Sequence, residues 1–419
     1  MKVLVVGSGG REHAIAWKLS QSPRVTKIYC APGNAGIASV AECIDITSED
    51  LEGIRNFAVE NNIDMAVIGP EVPLSMGITD LLQESGIRVF GPDKECSQLE
   101  GSKAFTKAFL MRHNIPTAGY REYTDKEALI ADIGIFGYPM VLKADGLAAG
   151  KGVVLAENYD SAYKAVEEMM GERIFGDAGN KVLVEECLTG VEASMLCFVD
   201  GKHIVPMESA QDYKRVFDSD KGPNTGGMGT YSPSLLFNED LENEIREKIL
   251  EPAINGFIAD GLDFHGVLFI GLMLGENGPK VIEFNNRFGD PETQSVLMRL
   301  DTDLLDIFDA CIDGSLDKLD IKWNNKRAVC VVMASGGYPG SYEKGKVISG
   351  ISDIDEDVVV FHAGTALKDG KIVSNGGRVL GVTATGETND EARAKAYTNV
   401  KKISFEGGFY RTDIGVINR

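Results

Sequence analysis

The residues with the clearest chemical potential stand at the end of an apolar stretch late in the chain. Glu283, Asn285 and Arg287 occupy alternate positions there. Because residues two apart in a strand share a face, these three side chains are expected to project together. Mg²⁺ takes oxygen ligands and completes its shell with waters and phosphate oxygens. The pattern predicts a site for magnesium, or alternatively manganese, on Glu283 and Asn285, with Arg287 beside it to bind a carboxylate or phosphate.

A glycine-rich segment, residues 138–154, has the pattern of two strands joined by a loop of small residues. It is not a Walker A motif, because Asp145 stands where the first glycine would be and Gly152 where the hydroxyl residue would be. Glycines let backbone N–H groups approach phosphates, and lysines add compact positive charge. We predict a phosphate-binding hairpin, with a merely flexible hairpin as the alternative. Its predicted binding residues are Lys143, Gly150, Lys151 and Gly152.

The segment 181–192 places carboxylates at the end of another apolar strand. Backbone groups just after such a strand can hydrogen-bond an adenine ring, and Glu192 can accept hydrogen bonds from ribose hydroxyls. We interpret the segment as the nucleoside part of an ATP site, although solvated acidic residues would show the same pattern. The predicted contacts are Glu185, Glu186, Leu188 and Glu192.

Three loops near the amino end, 7–13, 32–36 and 69–71, follow short aliphatic runs. The first is not a dinucleotide fingerprint, because G-x-G-x-x-G needs glycine where Glu12 stands. Free N–H groups at a helix N-terminus still bind phosphate, and an arginine adds a charge-assisted contact. We predict that a phosphorylated metabolite binds here, with a tight turn that binds nothing as the alternative. The predicted substrate-binding residues are Gly9, Gly10, Arg11 and Asn34.

These loops need a scaffold that brings them together. The first hundred residues alternate aliphatic runs with helix-like stretches, a βαβ rhythm that predicts a parallel sheet with its ligand loops at the carboxyl ends of the strands. A total of 419 residues exceeds one ordinary core. We expect an α/β protein with an N-terminal α/β domain at 1–101, a second domain at 102–326 and a small, mainly β domain at 327–419.

Charge and composition exclude several classes of protein. Lys and Arg number 42 against 63 Asp and Glu, a net charge of −21 that repels a polyphosphate backbone, so nucleic acid is not an expected partner. No apolar run approaches the length of about 18 residues that a membrane-spanning helix needs, so no membrane partner is expected either. The seven cysteines are scattered and form no C-x-x-C pair. We expect reduced thiols and a cytoplasmic protein.

The order of these parts resembles the ATP-grasp superfamily: an α/β pre-domain, a glycine-loop lid and a metal strand with E-x-N. The sequence is more specifically similar to the glycinamide ribonucleotide synthetase family, also called phosphoribosylamine–glycine ligases. The run 287–294, RFGDPETQ, matches that family's signature. The other similar segments are 1–13, 31–36, 69–73, 99–105, 143–153, 222–233, 283–294 and 405–415.

The resemblance implies an ATP-grasp fold with a Rossmann-like pre-domain, a mobile lid at about 121–189 and a C-terminal domain that packs on the pre-domain. It implies that ATP, glycine and 5-phosphoribosylamine give glycinamide ribonucleotide, ADP and phosphate through glycyl phosphate, a step of purine synthesis. Lys103 and Lys143 would contact ATP. The residues implied on the substrate side are Asp212, Lys214, Arg287, Asp290, Pro291 and Glu292.

Two other readings remain open at this stage. A different ATP-grasp ligase of purine synthesis would share the lid and the metal strand but lack the 287–294 run. A nucleotide-binding sensor would bind ATP without turnover, although Glu283, Asn285, Lys143 and Lys151 favour an enzyme. The expected partners are small molecules only, and we expect a monomer.

Overall fold

The computed structural model of the chain describes residues 1–147 and 152–416. Its first unit is a parallel sheet in the order β3-β2-β1-β4-β5, in which Val3 pairs with Ile28 on one side and Met65 on the other. Buried aliphatic side chains cover both faces of these strands, which confirms the βαβ prediction. The elements are β1 (Lys2–Gly7), α1 (Gly10–Leu19), β2 (Lys27–Pro32), β3 (Glu42–Cys43), α2 (Leu51–Glu60), β4 (Met65–Ile68), α3 (Glu71–Met76), α4 (Ile78–Glu84) and β5 (Arg88–Phe90).

The second unit begins with two helices and a small antiparallel sheet in the order β6-β9-β7-β8. Met140, Leu142 and Val184 bury one face of this sheet in a core with helices α7 and α8. The opposite face carries polar groups and is described with the site. The elements are α5 (Gln98–Gly101), α6 (Lys103–Arg112), β6 (Tyr120–Tyr123), α7 (Lys126–Ala131), β7 (Met140–Ala144), β8 (Val153–Ala156), α8 (Tyr159–Val166) and β9 (Val182–Glu186).

A second antiparallel sheet has the strand order β11-β10-β16-β17. Phe284 packs with Phe109 and Phe257 in the core beneath it. The elements are β10 (Val191–Asp200), β11 (Ile204–Pro206), β12 (Gln211–Asp212), β13 (Arg215–Phe217), β14 (Lys221–Asn224), β15 (Gly229–Ser232), α9 (Glu239–Ile245), α10 (Glu251–Asp260), β16 (His265–Gly275), β17 (Gly278–Asn285), α11 (Glu292–Val296) and α12 (Leu304–Ile312).

The last unit is built on the sheet β12-β15-β18-β22-β19 and one long helix. Two of its strands, β12 and β15, precede the boundary predicted at 326, so this sheet joins segments from both sides of it. His362, at the end of β19, donates its backbone N–H to His13 Nδ1 (2.8 Å), which ties the unit to α1. The elements are β18 (Arg327–Ala334), β19 (Val358–His362), β20 (Thr365–Lys368), β21 (Lys371–Ser374), β22 (Arg378–Gly386) and α13 (Asn389–Val400).

Within the described ranges, no helix has both the length and the apolar character needed to cross a lipid bilayer. All seven cysteines are free thiols, five of them buried.

Candidate active site

The end of β17 places Glu283, Asn285 and Arg287 in one hydrogen-bonded row. Asn285 Nδ2 donates to Glu283 Oε1 (3.2 Å), and Arg287 Nη2 donates to Asn285 Oδ1 (3.2 Å). Arg287 Nη2 also lies 3.0 Å from Glu100 Oε1, on the helix before α6. The row therefore offers a carboxylate, an amide and a guanidinium side by side.

A β-bulge shapes this row. Gly271 pairs with Glu283 while Leu272 pairs with Val281, so Ile282 is the extra residue on β17. The carbonyl oxygen of Ile282 accepts a hydrogen bond from Lys143 Nζ (3.2 Å). The bulge thus connects β17 to the sheet β6-β9-β7-β8, which is called the lid sheet below.

Glu283 is an ionised carboxylate with several lysines nearby. Burial opposes its ionisation, but Lys214, Lys143 and the Asn285 amide outweigh burial and lower the pKa of Glu283. Burial lowers the pKa of Lys103, and Glu283 and Asp145 oppose that shift. Glu283 at the end of β17 can therefore attract a cation, and the lysines near it can attract an anionic group.

A buried ion cluster stands behind Lys143. The Nζ atoms of Lys143 and Lys107 each lie 3.0 Å from Glu185 Oε2, and Lys107 Nζ also donates to Thr117 Oγ1 (2.8 Å). Burial, and then the neighbouring Lys143, lowers the pKa of Lys107 to about 8. The other oxygen of Glu185, Oε1, is buried without a hydrogen-bond partner. Lys107 was missed in the sequence analysis, although its position four residues after Lys103 puts both lysines on one side of α6.

The face of the lid sheet opposite its core carries both polar and apolar side chains. Val141 pairs with Leu155 and with Glu185, and Lys143 pairs with Val153, so all five side chains lie on one face. Val153 and Leu155 are 42% and 49% exposed there. The exposed aliphatic side chains therefore form an apolar surface beside a buried lysine and a buried carboxylate.

The other predicted nucleotide residues flank this face. Glu186 Oε1 accepts from the backbone N–H of Gly119 (3.1 Å) and lies 3.2 Å from Lys280 Nζ, while Leu188 is half-buried beyond the strand. Lys103 Nζ donates to the Gly146 carbonyl (2.8 Å) at the start of the glycine-rich loop. The carbonyl of Gly152 accepts from Ala144 N–H. Gly150 and Lys151 lie outside the described residues.

A second charged group approaches Glu283 from the segment around β12. Lys214 Nζ lies 3.1 Å from Glu192 Oε2, and burial of Lys214 is outweighed by Asp212, Glu192 and Glu283, which raise its pKa. Burial raises the pKa of Asp212. Burial and then the nearby Asp212 raise the pKa of Glu292 to about 8. Two carboxyls that resist ionisation and one firmly charged lysine therefore share this side of the site.

The loop after β1 meets the loop after β17. A Cβ atom on Gly10 would lie 2.5 Å from Gln294 Nε2, and one on Gly9 would lie 3.3 Å from Asp290 Oδ2. Arg11 Nη1 donates to the Phe288 carbonyl (3.1 Å). Glycine at both positions allows the start of α1 to approach the 287–294 run closely.

Asp290 lies between two arginines. Burial opposes its ionisation, but Arg378 and Arg11 prevail and lower the pKa of Asp290. Arg378 Nη1 also donates to the Asp290 carbonyl (2.6 Å), and the carbonyl of Pro291 accepts from Thr230 Oγ1 (3.1 Å). Arg378 belongs to β22, and no local sequence signal marked it.

Asn34 joins loops of the protein to one another. Its Nδ2 donates to the carbonyls of Ser8 and His362 (both 2.8 Å), and its Oδ1 accepts from the backbone N–H groups of Gly36 and Ile37 (both 2.9 Å). The side chain holds the 32–36 loop against the first loop, and its predicted contact with substrate stays a prediction.

Family models match nearly the whole chain. The phosphoribosylglycinamide synthetase N domain matches residues 1–100, the ATP-grasp (A) domain of the same family 101–293, and its C domain 328–417. The chain belongs to the phosphoribosylglycinamide synthetase family. The resemblance found in the sequence is thereby confirmed.

Relatives in this family extend over the full chain. The phosphoribosylamine–glycine ligase of Caldanaerobacter subterraneus subsp. tengcongensis is 50% identical over 414 residues, with 99% of each chain covered. That of Rhizobium meliloti is 51% identical over 415 residues, covering 99% of this chain and 98% of the relative.

Solved structures confirm the predicted fold class. The crystal structure of phosphoribosylamine–glycine ligase from Thermotoga maritima superposes with a TM-score of 0.87 at 36% identity, covering 99% of this chain and 100% of that one. A biotin carboxylase from Campylobacter jejuni, at 16% identity and a TM-score of 0.76, covers 98% and 92% and shows the shared fold alone.

Proposed function

We propose that this synthetase-family chain is an ATP-dependent ligase that joins glycine to 5-phosphoribosylamine through a glycyl-phosphate intermediate, in purine biosynthesis. One observation carries the proposal: Lys143, Lys103 and Lys214 lie close enough to the Glu283–Asn285–Arg287 row for their charges to act on Glu283. Lysines and an arginine beside a metal-binding carboxylate are groups that can bind both a carboxylate substrate and a triphosphate. Full-length relatives named phosphoribosylamine–glycine ligase support the same reaction.

The chemistry requires two displacements. An oxygen of the glycine carboxylate attacks the γ-phosphorus, the bond to the β-phosphate oxygen breaks, and ADP leaves. The amine of phosphoribosylamine then attacks the acyl carbon, phosphate leaves, and the nitrogen loses a proton. The protein needs no nucleophile of its own, so positioning and electrostatic stabilisation supply the rate.

The donor set of the row fits a hard divalent cation. Glu283 is held ionised, and Asn285 would add a neutral amide oxygen once its amide turns so that Oδ1, which now accepts from Arg287, replaces Nδ2 beside Glu283. Both are ligand types that Mg²⁺ accepts beside phosphate oxygens. When bound, magnesium would neutralise charge on the phosphate oxygens. Manganese accepts the same donors. No second carboxylate stands on β16 opposite Glu283, so we expect weak binding of the metal when nucleotide is absent.

The lid face suits the nucleoside. Val153 and Leu155 would cover an adenine ring, and the polar edge at Glu185, Glu186 and Leu188 would meet its nitrogens. Lys143 and Lys103 would hold the phosphates, and Gly150, Lys151 and Gly152 would close over them. Glu192 would accept from the ribose hydroxyls. A closed loop would keep water from an acyl phosphate that hydrolyses readily.

The remaining groups suit the other two substrates. Arg287 and Lys214 would hold the carboxylate of glycine, and Asp212 and Glu292 would face its ammonium group. The α1 N-terminus, with Gly9, Gly10, Arg11 and Asn34, would bind the 5-phosphate. Asp290 and Pro291 would lie between the two proposed subsites. Free thiols agree with the reducing cytoplasm, and a monomer remains our expectation.

The test is substrate-dependent release of ADP. The purified chain is supplied with MgATP, glycine and freshly generated phosphoribosylamine, and ADP formation is followed by a coupled assay. We expect turnover only when both co-substrates are present, and the product should gain the mass of one glycyl group. If omitting either glycine or phosphoribosylamine left the rate unchanged, the assignment would be wrong.

A further inference from the structure

The side chain of Arg411 is the largest fully buried side chain of the described residues, and it lies far in sequence from the site. Its Nε and Nη2 donate to the two carboxylate oxygens of Asp413 (2.8 and 2.7 Å). Its Nη1 donates to the Arg215 carbonyl (2.9 Å) and to Asp220 Oδ1 (3.0 Å). A charged side chain is buried only when its bonds are satisfied, and here every partner is Asp413 or the 211–224 loop.

The same loop carries Tyr213, and the 411–416 segment encloses it. The Arg411 guanidinium carbon lies 4.9 Å from the centre of the Tyr213 ring. Tyr213 Oη accepts from the Gly415 backbone N–H (3.1 Å), and its own hydroxyl donates to the Val416 carbonyl (3.3 Å). Tyr213 stands between Asp212 and Lys214 in the sequence, so its ring fixes the backbone that bears both.

The loop does not hold this shape by itself. Ser219 and Asp220 both have left-handed backbone angles, φ 57° and 51°, which cost energy in residues that carry a Cβ. The Ser219 N–H donates to Asp413 Oδ2 (2.8 Å), and the Thr412 N–H donates to Asp218 Oδ1 (2.7 Å). The 411–416 segment therefore contacts the loop at its strained turn and at Tyr213.

We propose that Arg411 is a positioning residue for glycine: it acts through Tyr213 to set Asp212 and Lys214 against the substrate. The inference rests on the proposed function, because it assigns those two residues to the glycine subsite. Among the described residues, no hydrogen bond or ion pair joins the 411–416 segment to Lys143 or Glu185 on the proposed nucleotide face. Lys214 also lies 3.1 Å from Glu192, the proposed ribose contact, so loss of the guanidinium should affect glycine much more than ATP.

The experiment compares Arg411→Lys with Arg299→Lys in the full chain. Arg299 is a matched control, because it is also buried and bonds the Lys326 and Asn324 carbonyls, Glu208 and Ser232, yet does not touch the 211–224 loop. We expect Arg411→Lys to raise KM for glycine about tenfold, as a small misplacement of binding groups does. KM for ATP should stay within about twofold in both variants.

Hydrogen exchange without substrates separates this inference from the proposed function. The amides of Tyr213 and Thr225 should exchange faster in Arg411→Lys than in the wild type or Arg299→Lys. If the wild-type chain proved inactive with glycine, the proposed function would fail while exchange still reported on the loop. An unchanged KM for glycine in an active Arg411→Lys variant, or unchanged exchange at these amides, would overturn the inference.

A milder variant covers the case in which Arg411→Lys does not fold. Tyr213→Phe keeps the ring under the guanidinium and removes only the two hydroxyl contacts with Gly415 and Val416. We expect a smaller rise in KM for glycine, of about threefold, with KM for ATP unchanged. Equal effects on both constants would contradict the inference.

Discussion

Single side chains at the end of β17 carry the charges on which the proposed reaction depends. Glu283 keeps its negative charge in a half-buried setting because Lys214 and Lys143 lie close to it, and Asn285 bonds one of its oxygens. Lysines close to the carboxylate can neutralise a phosphate when one binds. The charge of Glu283 therefore bears on both the proposed metal site and the proposed phosphate site.

Glu283→Gln tests that charge at nearly constant size. We expect turnover to fall about 100-fold or more, because the substitution keeps an oxygen ligand but removes the negative charge that attracts the cation and balances the two lysines. Steady-state ADP release measures the loss, and circular dichroism checks that the fold is retained. Glu276→Gln, in the exposed turn between β16 and β17, is the matched control and should turn over normally. Full activity in Glu283→Gln would remove the proposed metal site.

At the scale of an element, the β7–β8 hairpin presents one face to its own core and the other to the site. The core face packs Met140, Leu142 and Ala156. The site face leaves Val153 and Leu155 about half exposed although both are aliphatic. Exposed aliphatic side chains on a face shared with Lys143 indicate a surface that a flat apolar ligand covers.

Leu155→Ser should weaken ATP binding without destabilising the lid sheet. Removing an aliphatic side chain from a face that a ligand covers costs about 1–2 kcal/mol of binding, which is roughly a tenfold rise in KM for ATP. KM for glycine and the melting temperature should change little. Ile174→Ser removes an equally exposed aliphatic side chain (53%) outside the sheet and serves as the control. Equal constants for ATP in Leu155→Ser and wild type would place adenine elsewhere.

At the scale of the whole molecule, the last unit packs against the first unit through two buried histidines. The rings of His13 and His362 lie 5.6 Å apart, and Trp17 packs against Phe361 in the same interface. Burial, and for His13 also the neighbouring His362, lowers the pKa values to about 3 and about 4. Both rings are therefore neutral in the folded protein at neutral pH, and this contact brings the 32–36 loop and Arg378 to the site.

Acid should weaken this interface in a defined window. Because the folded-state pKa values lie below the unfolded value of about 6.5, the unfolded chain binds more protons, and stability falls as the pH drops below 6.5. At pH 5 each histidine should cost roughly 2 kcal/mol of unfolding free energy relative to pH 7. Urea unfolding followed by the fluorescence of Trp17, in the variant Trp323→Phe, measures this loss.

His13→Gln provides the matched comparison. It removes one of the two titrating groups and should reduce the loss of stability between pH 7 and pH 5 by roughly 2 kcal/mol. His203→Gln, outside the interface, should leave that loss in place. A loss that is the same in His13→Gln and wild type would mean that other groups govern the acid response.

Several features were predictable because they depend on local pattern. Alternating aliphatic runs indicated the parallel sheet, since buried parallel strands need apolar side chains on both faces. Two-residue spacing grouped Glu283 with Asn285 and Arg287. The 287–294 run indicated the family that the domain matches establish.

Other features were decided by tertiary structure alone, because they join residues that are distant in the sequence. Lys107 reaches Glu185 only because α6 packs behind the lid sheet, and Arg378 reaches Asp290 only because β22 lies next to the 287–294 run. The bulge at Ile282 and the pairing of β15 with β18 across the predicted boundary have no local signature. Sequence spacing records the faces of single strands, whereas the partner that each face meets depends on how the whole chain packs.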